Sequence, residues 1–219
     1  MKKSDKLNTL IHAVCLVPLF LVFGSALWTV FGFASTLGFV ASTANLTNAA
    51  MWTFTAMLAV TPITILTGWQ WIQPIKRTLA LYAFSYSMIH FIIFSGGFGF
   101  VPAAVLSGAF ANAMLMTGTV ALFGMVPLAL TSNRWAMRKM KKNWKRLHYL
   151  TYGVAIFIIA HLVFLGQGLP WAILYTVLLG MRVPPVRRFI VKMRKKVVQA
   201  WSGRKNRPSP QPSGAVTTG

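Results

Sequence analysis

Four histidines, His12, His90, His148 and His161, are the residues of this chain best suited to chemistry. The 219 residues include one acidic side chain, Asp5, so paired-carboxylate hydrolysis and carboxylate metal sites are excluded. The lone Cys15 excludes a disulfide framework and a Cys-based metal cluster. No Gly-rich phosphate loop precedes a helix, and the many Ser and Thr residues lack a His-Asp partner arrangement. A neutral imidazole is a strong metal ligand, and an ionisable side chain at membrane depth is by default a functional candidate.

The elements that position these histidines follow from apolar length and charge. Six stretches are apolar enough to span a bilayer: 10–33, 51–71, 78–95, 105–130, 147–165 and 170–183. Most approach the ~20 residues needed to cross a ~30 Å hydrocarbon layer. The last is short before Arg182 and Pro184–Pro185, so its far end is expected to tilt, thin the bilayer or break early.

The 22 Lys and Arg residues fall in four clusters. Lys2, Lys3 and Lys6 precede the first stretch, and Lys76 and Arg77 lie between the second and third. A seven-residue cluster from Arg134 to Arg146 separates the fourth and fifth, and the rest begin at Arg182. The connections near 34–50, 96–104 and 166–169 carry none. Positive charge on alternate connections assigns those connections to the cytoplasm. The expectation is an all-α integral membrane six-helix bundle with both termini cytoplasmic, in a bacterial inner membrane. Charge so segregated by apolar spans excludes nucleic-acid binding, the usual reading of such a basic chain. The first apolar run exceeds the ~7–15 residues of a signal-peptide core, which favours an uncleaved anchor.

A transmembrane haem-binding domain is expected over 1–183. Residues 184–201 alternate cations with apolar residues, suiting a basic amphipathic helix on anionic headgroups of the lipid bilayer. Residues 202–219, rich in Ser, Pro, Gly and Thr, read as a disordered tail. The connection 34–50 reads as a weakly polar segment on the outer face. Gly96, Gly97, Gly99 and Pro102 mark a turn, while Trp69, Trp71 and Trp144 occupy positions of interfacial anchors.

At ~1.5 Å per helical residue, His90 lies ~18 Å and His161 ~21 Å from the cytoplasmic ends of their spans. His148 lies ~2 Å in and His12 ~6 Å in. His90 and His161 are thus level on separate helices, which is what a bis-histidine haem iron requires. His12 and His148 form a shallower group, for which an interfacial, solvated role competes with ligation. Thirteen residues separate His148 from His161, leaving them ~140° apart on an ideal helix and arguing for separate haem environments if there are two. Arg77 suits a haem propionate or flavin phosphate, or an ordinary snorkelling position.

Several segments resemble a known family. They are IHAVCLVP around His12, LAVTPI at 58–63, KRTLALYAFSYSMIH at 76–90 and LTSNRWAMRKMKKNWKRLHYLTYGVAIFIIAH at 130–161. The last resembles a Thr-Ser, a basic loop, a Trp, and a Leu-His followed thirteen residues on by a second His. Together they resemble the haem-binding membrane subunit of bacterial periplasmic methionine sulfoxide reductase, within the ferric-reductase-like transmembrane group. Residues 109–118, AFANAMLMTG, lack the Arg-Pro-Tyr usual in that family. The resemblance implies haem b, one or two per chain, with His90, His148 and His161 at the family's haem-histidine positions, and bound FMN in some members. It also implies electron flow from quinol or a cytosolic flavin reductase to a periplasmic, methionine sulfoxide reductase-like partner. The chain is then an electron-transfer subunit and not a self-contained enzyme. The competing reading is a structural or pigment-binding accessory subunit of a larger membrane complex. Transport is disfavoured, because no intramembrane acid or broken helix pair offers a substrate site.

Overall fold

The computed structural model describes residues 3–30, 36–166 and 168–205, and all regular structure within them is helical. Ten α-helices follow in order: α1 (Lys3–Val30), α2 (Thr36–Thr67), α3 (Ile75–Gly96), α4 (Pro102–Phe110), α5 (Ala113–Leu130), α6 (Arg134–Met140), α7 (Lys142–Leu147), α8 (Leu150–Phe164), α9 (Gly168–Gly180) and α10 (Pro184–Lys205). A 3-10 turn, Gln70–Ile72, joins α2 to α3. Five segments are long and apolar enough to cross a membrane, and α9 with α10 adds a sixth when that bent pair is taken together. The protein is a multi-pass helical membrane bundle.

Helices α2 and α3 form one extensive antiparallel pair and α5 and α8 another. Contact between α3 and α5 joins the pairs, and α9 closes the ring by packing on both α8 and α2. Helix α1 lies outside this ring against α2 and α3. Between lipid-facing helices the hydrophobic effect gives little drive, so close packing and interhelical hydrogen bonds must hold the bundle. Small residues permit this between α5 and α8: a Cβ at Gly124 would stand 2.8 Å from Val154 Cγ2. Between α2 and α9, buried Tyr175 is hydrogen-bonded through its hydroxyl to Thr55 Oγ1 at 3.0 Å.

The basic segments meet at one end. Thr78 Oγ1 donates to Asn8 Oδ1 at 2.6 Å, and Lys76 Nζ donates to Thr61 Oγ1 at 3.3 Å. Arg182 Nη2 donates to the Leu58 carbonyl at 2.5 Å, and Arg194 Nη1 to the Ile65 carbonyl at 3.1 Å.

Three expectations need correction. The stretch 36–50, read as an outer connection, is the first half of α2, a 32-residue helix. Its Thr, Asn and Ser residues do not stop a helix here; nearby, Thr53 and Thr55 satisfy their hydroxyls on carbonyls of the preceding turn. The fourth apolar stretch is not continuous. It breaks between α4 and α5, where Asn112 adopts an extended conformation and its side chain caps α5 by accepting from Leu115 N at 2.8 Å. The last stretch, expected to be short and to break early, is α9 of 13 residues, which turns by 73° into α10. Residues 202–205, placed in the tail on sequence, continue α10; residues 206–219 lie outside the described ones.

Candidate functional site: an intramembrane histidine cavity

The five ring helices enclose a cavity of ≈ 150 Å³. His90 enters it from α3 and His161 from α8, with Thr47, Phe91, Gly118 and Tyr175 among the other lining residues. The walls are predominantly apolar. His90, which lines the cavity, is exposed by area.

Each imidazole is held by its Nδ1. His161 Nδ1 lies 2.7 Å from the Met114 carbonyl oxygen. A carbonyl can only accept, so the proton sits on Nδ1 and the Nε2 lone pair is free. The close approach depends on Gly118: a Cβ there would stand 2.8 Å from His161 Nδ1. His90 Nδ1 is hydrogen-bonded to Thr47 Oγ1 at 3.3 Å. Among the described residues, no protein group takes Nε2 of either ring. A hydrogen bond fixing one nitrogen and presenting the other is how proteins orient histidine for a metal. The pair can therefore offer two nitrogen ligands in one apolar cavity.

The shallower histidines are arranged differently. His148 is the C-cap of α7, and the single candidate span Lys142–Phe164 carries both it and His161. Three-residue hydrogen bonds at 149, 151 and 152 tighten the chain between them, which shifts the ~140° azimuth of an ideal helix. His148 Nε2 is hydrogen-bonded to Thr131 Oγ1 at 3.2 Å, and its ring stacks on Trp144 with centroids 4.0 Å apart. Trp144 in turn donates its indole N–H to the Thr131 carbonyl at 2.9 Å. His12 Nδ1 is hydrogen-bonded to Tyr82 Oη at 2.9 Å across the α1–α3 contact. Neither His12 nor His148 lines the His90–His161 cavity. Arg77 is exposed on the first turn of α3, away from it.

Sequence reasoning missed Thr47, Gly118 and the Met114 carbonyl. Thr47 lay in a stretch read as a loop, and a backbone carbonyl carries no sequence signal. Gly118 was the one findable residue, since a glycine inside an apolar helix marks close approach of a neighbour.

The fold and cavity define a polytopic helical membrane protein built around an intramembrane pair of histidines. The sequence matches the family described as "Ferric reductase like transmembrane component" over residues 41–159, more than half of the chain. The chain belongs to this ferric reductase-like transmembrane family and is MsrQ-like within it. It is 30% identical over 189 residues to the protein-methionine-sulfoxide reductase heme-binding subunit MsrQ of Xanthomonas euvesicatoria, covering 80% of this chain and 85% of the relative. The corresponding protein of Azospira oryzae is 30% identical, with 68% and 74% covered. That of Bordetella pertussis is 31% identical, with 62% and 71% covered. No solved structure matches.

Proposed function

We propose that this chain is a haem b electron-transfer subunit of the inner membrane, in which His90 and His161 would hold one haem. The observation carrying the reading is that two imidazoles from different helices share one apolar cavity, each fixed at Nδ1 and free at Nε2. The MsrQ relatives, named as heme-binding subunits, support it. Bound there, haem would supply one-electron redox chemistry.

The protein's own residues do the remaining work. Met114 holds the His161 imidazole in the tautomer that ligates, and Thr47 orients the His90 ring. Phe91, Leu122 and Ile158 exclude water from the cavity, which the surrounding lipid also keeps dry. The relatives' names support a protein-methionine-sulfoxide reductase as the acceptor. In this reading it sits on the periplasmic side, and the donor is quinol or a cytosolic flavin reductase. Basic connections on the cytoplasmic side follow from the positive-inside rule. A flavin at that end would find its phosphate partner in Arg77.

A pyridine haemochrome assay and a reduced-minus-oxidised spectrum of the purified chain test this directly. Low-spin haem b is expected. A wild-type protein that purifies folded from haem-replete cells without haem sinks the reading.

A further inference from the structure

The turn from α9 into α10 concentrates charge. Arg182, Arg187, Arg188, Lys192 and Lys195 line a single cavity of ≈ 600 Å³. Arg188, Lys192 and Lys195 stand four and three residues apart and share one face of α10, with Arg187 on the edge beside them. Arg182 comes from the bend itself. Its Nη2 is occupied by the Leu58 carbonyl, but its Nε is buried with no acceptor. The one acidic side chain of the protein, Asp5, is on α1 and cannot neutralise five cations.

The other face of α10 is apolar. Val186, Phe189, Met193, Val197 and Trp201 are all exposed. They recur at helical spacing, which suits a helix whose apolar face sinks to the acyl boundary and whose flanking cations stand at headgroup level. Five cations around one cavity repel one another unless an anion enters. At a membrane surface the anion of highest local concentration is the lipid phosphate.

We propose that the α9–α10 bend binds the phosphodiester of an anionic phospholipid. Arg182 closes the cavity from the bundle side; Arg187, Arg188, Lys192 and Lys195 surround the phosphate from α10. A guanidinium can donate to two phosphate oxygens at once, which gives the arginines geometric selectivity beyond charge. The site lies apart from the histidine cavity, so it stands or falls independently of the haem assignment.

Native mass spectrometry of the full chain in neutral detergent, titrated with phosphatidylglycerol or phosphatidylcholine, tests it. The wild type should bind phosphatidylglycerol at least about tenfold more tightly, since each cation near a membrane surface adds measurable attraction to an anionic lipid. R188Q/K192Q/K195Q should erase that preference. The smaller change K192Q/K195Q should reduce it while sparing the bend, and haem content should remain at the wild-type level in both. Equal binding of the two lipids by wild type, or an undiminished preference in the triple variant, overturns the proposal. Millimolar inorganic phosphate should fail to displace the lipid; displacement would mean that the site takes free phosphate, and the lipid assignment is then wrong.

Discussion

His161 on α8 donates its Nδ1 proton to the carbonyl oxygen of Met114, in the first turn of α5, at 2.7 Å. The same carbonyl accepts from Thr117 Oγ1 at 2.9 Å. The ring is thus anchored to backbone, which no side-chain substitution removes directly. Moving α5 or crowding the ring does.

Gly118→Ala is accordingly the substitution expected to disturb the site from outside the ligand set. Its Cβ would meet His161 Nδ1 at 2.8 Å. Overpacking of this kind costs about 1–3 kcal/mol. Thermal unfolding in detergent should shift downward, and the haem spectrum should change in band position or intensity. An unaltered spectrum with normal stability would show that α5 and α8 are further apart than described.

His90→Ala and His161→Ala should each abolish low-spin haem while the protein still inserts. Membrane fractionation and a haemochrome assay on the same preparations read both outcomes. Full haem retention in both variants would remove the assignment of these residues.

Thr47→Val removes the group that holds His90 Nδ1 at 3.3 Å. Loss of such an orienting partner typically lowers metal affinity about tenfold or more. Haem should leave this variant faster than wild type in transfer to an apo-globin acceptor. Equal transfer rates would mean that Thr47 does not orient the ligand.

Thr131→Val separates the role of His148 from that of the deep pair. It deletes the 3.2 Å hydrogen bond to Nε2 but leaves the Trp144 stack. A small stability loss of about 0.5–1.5 kcal/mol is expected, with haem content unchanged. A loss of haem comparable to that of His161→Ala would instead make His148 a ligand.

Much of this architecture was legible in the residues. Uncharged apolar runs separated by Lys/Arg clusters gave the spans and gathered the basic connections, because a cation cannot be left in hydrocarbon without penalty. The matched depths of His90 and His161 placed them together, and the cavity contains both. Other features followed from interactions that composition does not encode. Thr53 and Thr55 return their hydroxyls to the backbone, so the polar look of the segment before them was no sign of a loop. Asn112 interrupts an apolar run by capping rather than by breaking a hydropathy pattern. Between Leu147 and Leu150 the chain stays right-handed but tightens to three-residue hydrogen bonds, and Trp144 and Thr131 hold His148 there from 4 and 17 residues away.

Asn112 and Met114 sit two residues apart at the start of α5, one terminating the break from α4 and the other steadying an imidazole. This short piece of backbone therefore works as a lever arm. Pressure on the uncharged end of the bundle, where α4 gives way to α5, reaches the His161 ring through less than one helical turn. A protein docking on that end would have a mechanical route to the electron-carrying centre without entering the membrane.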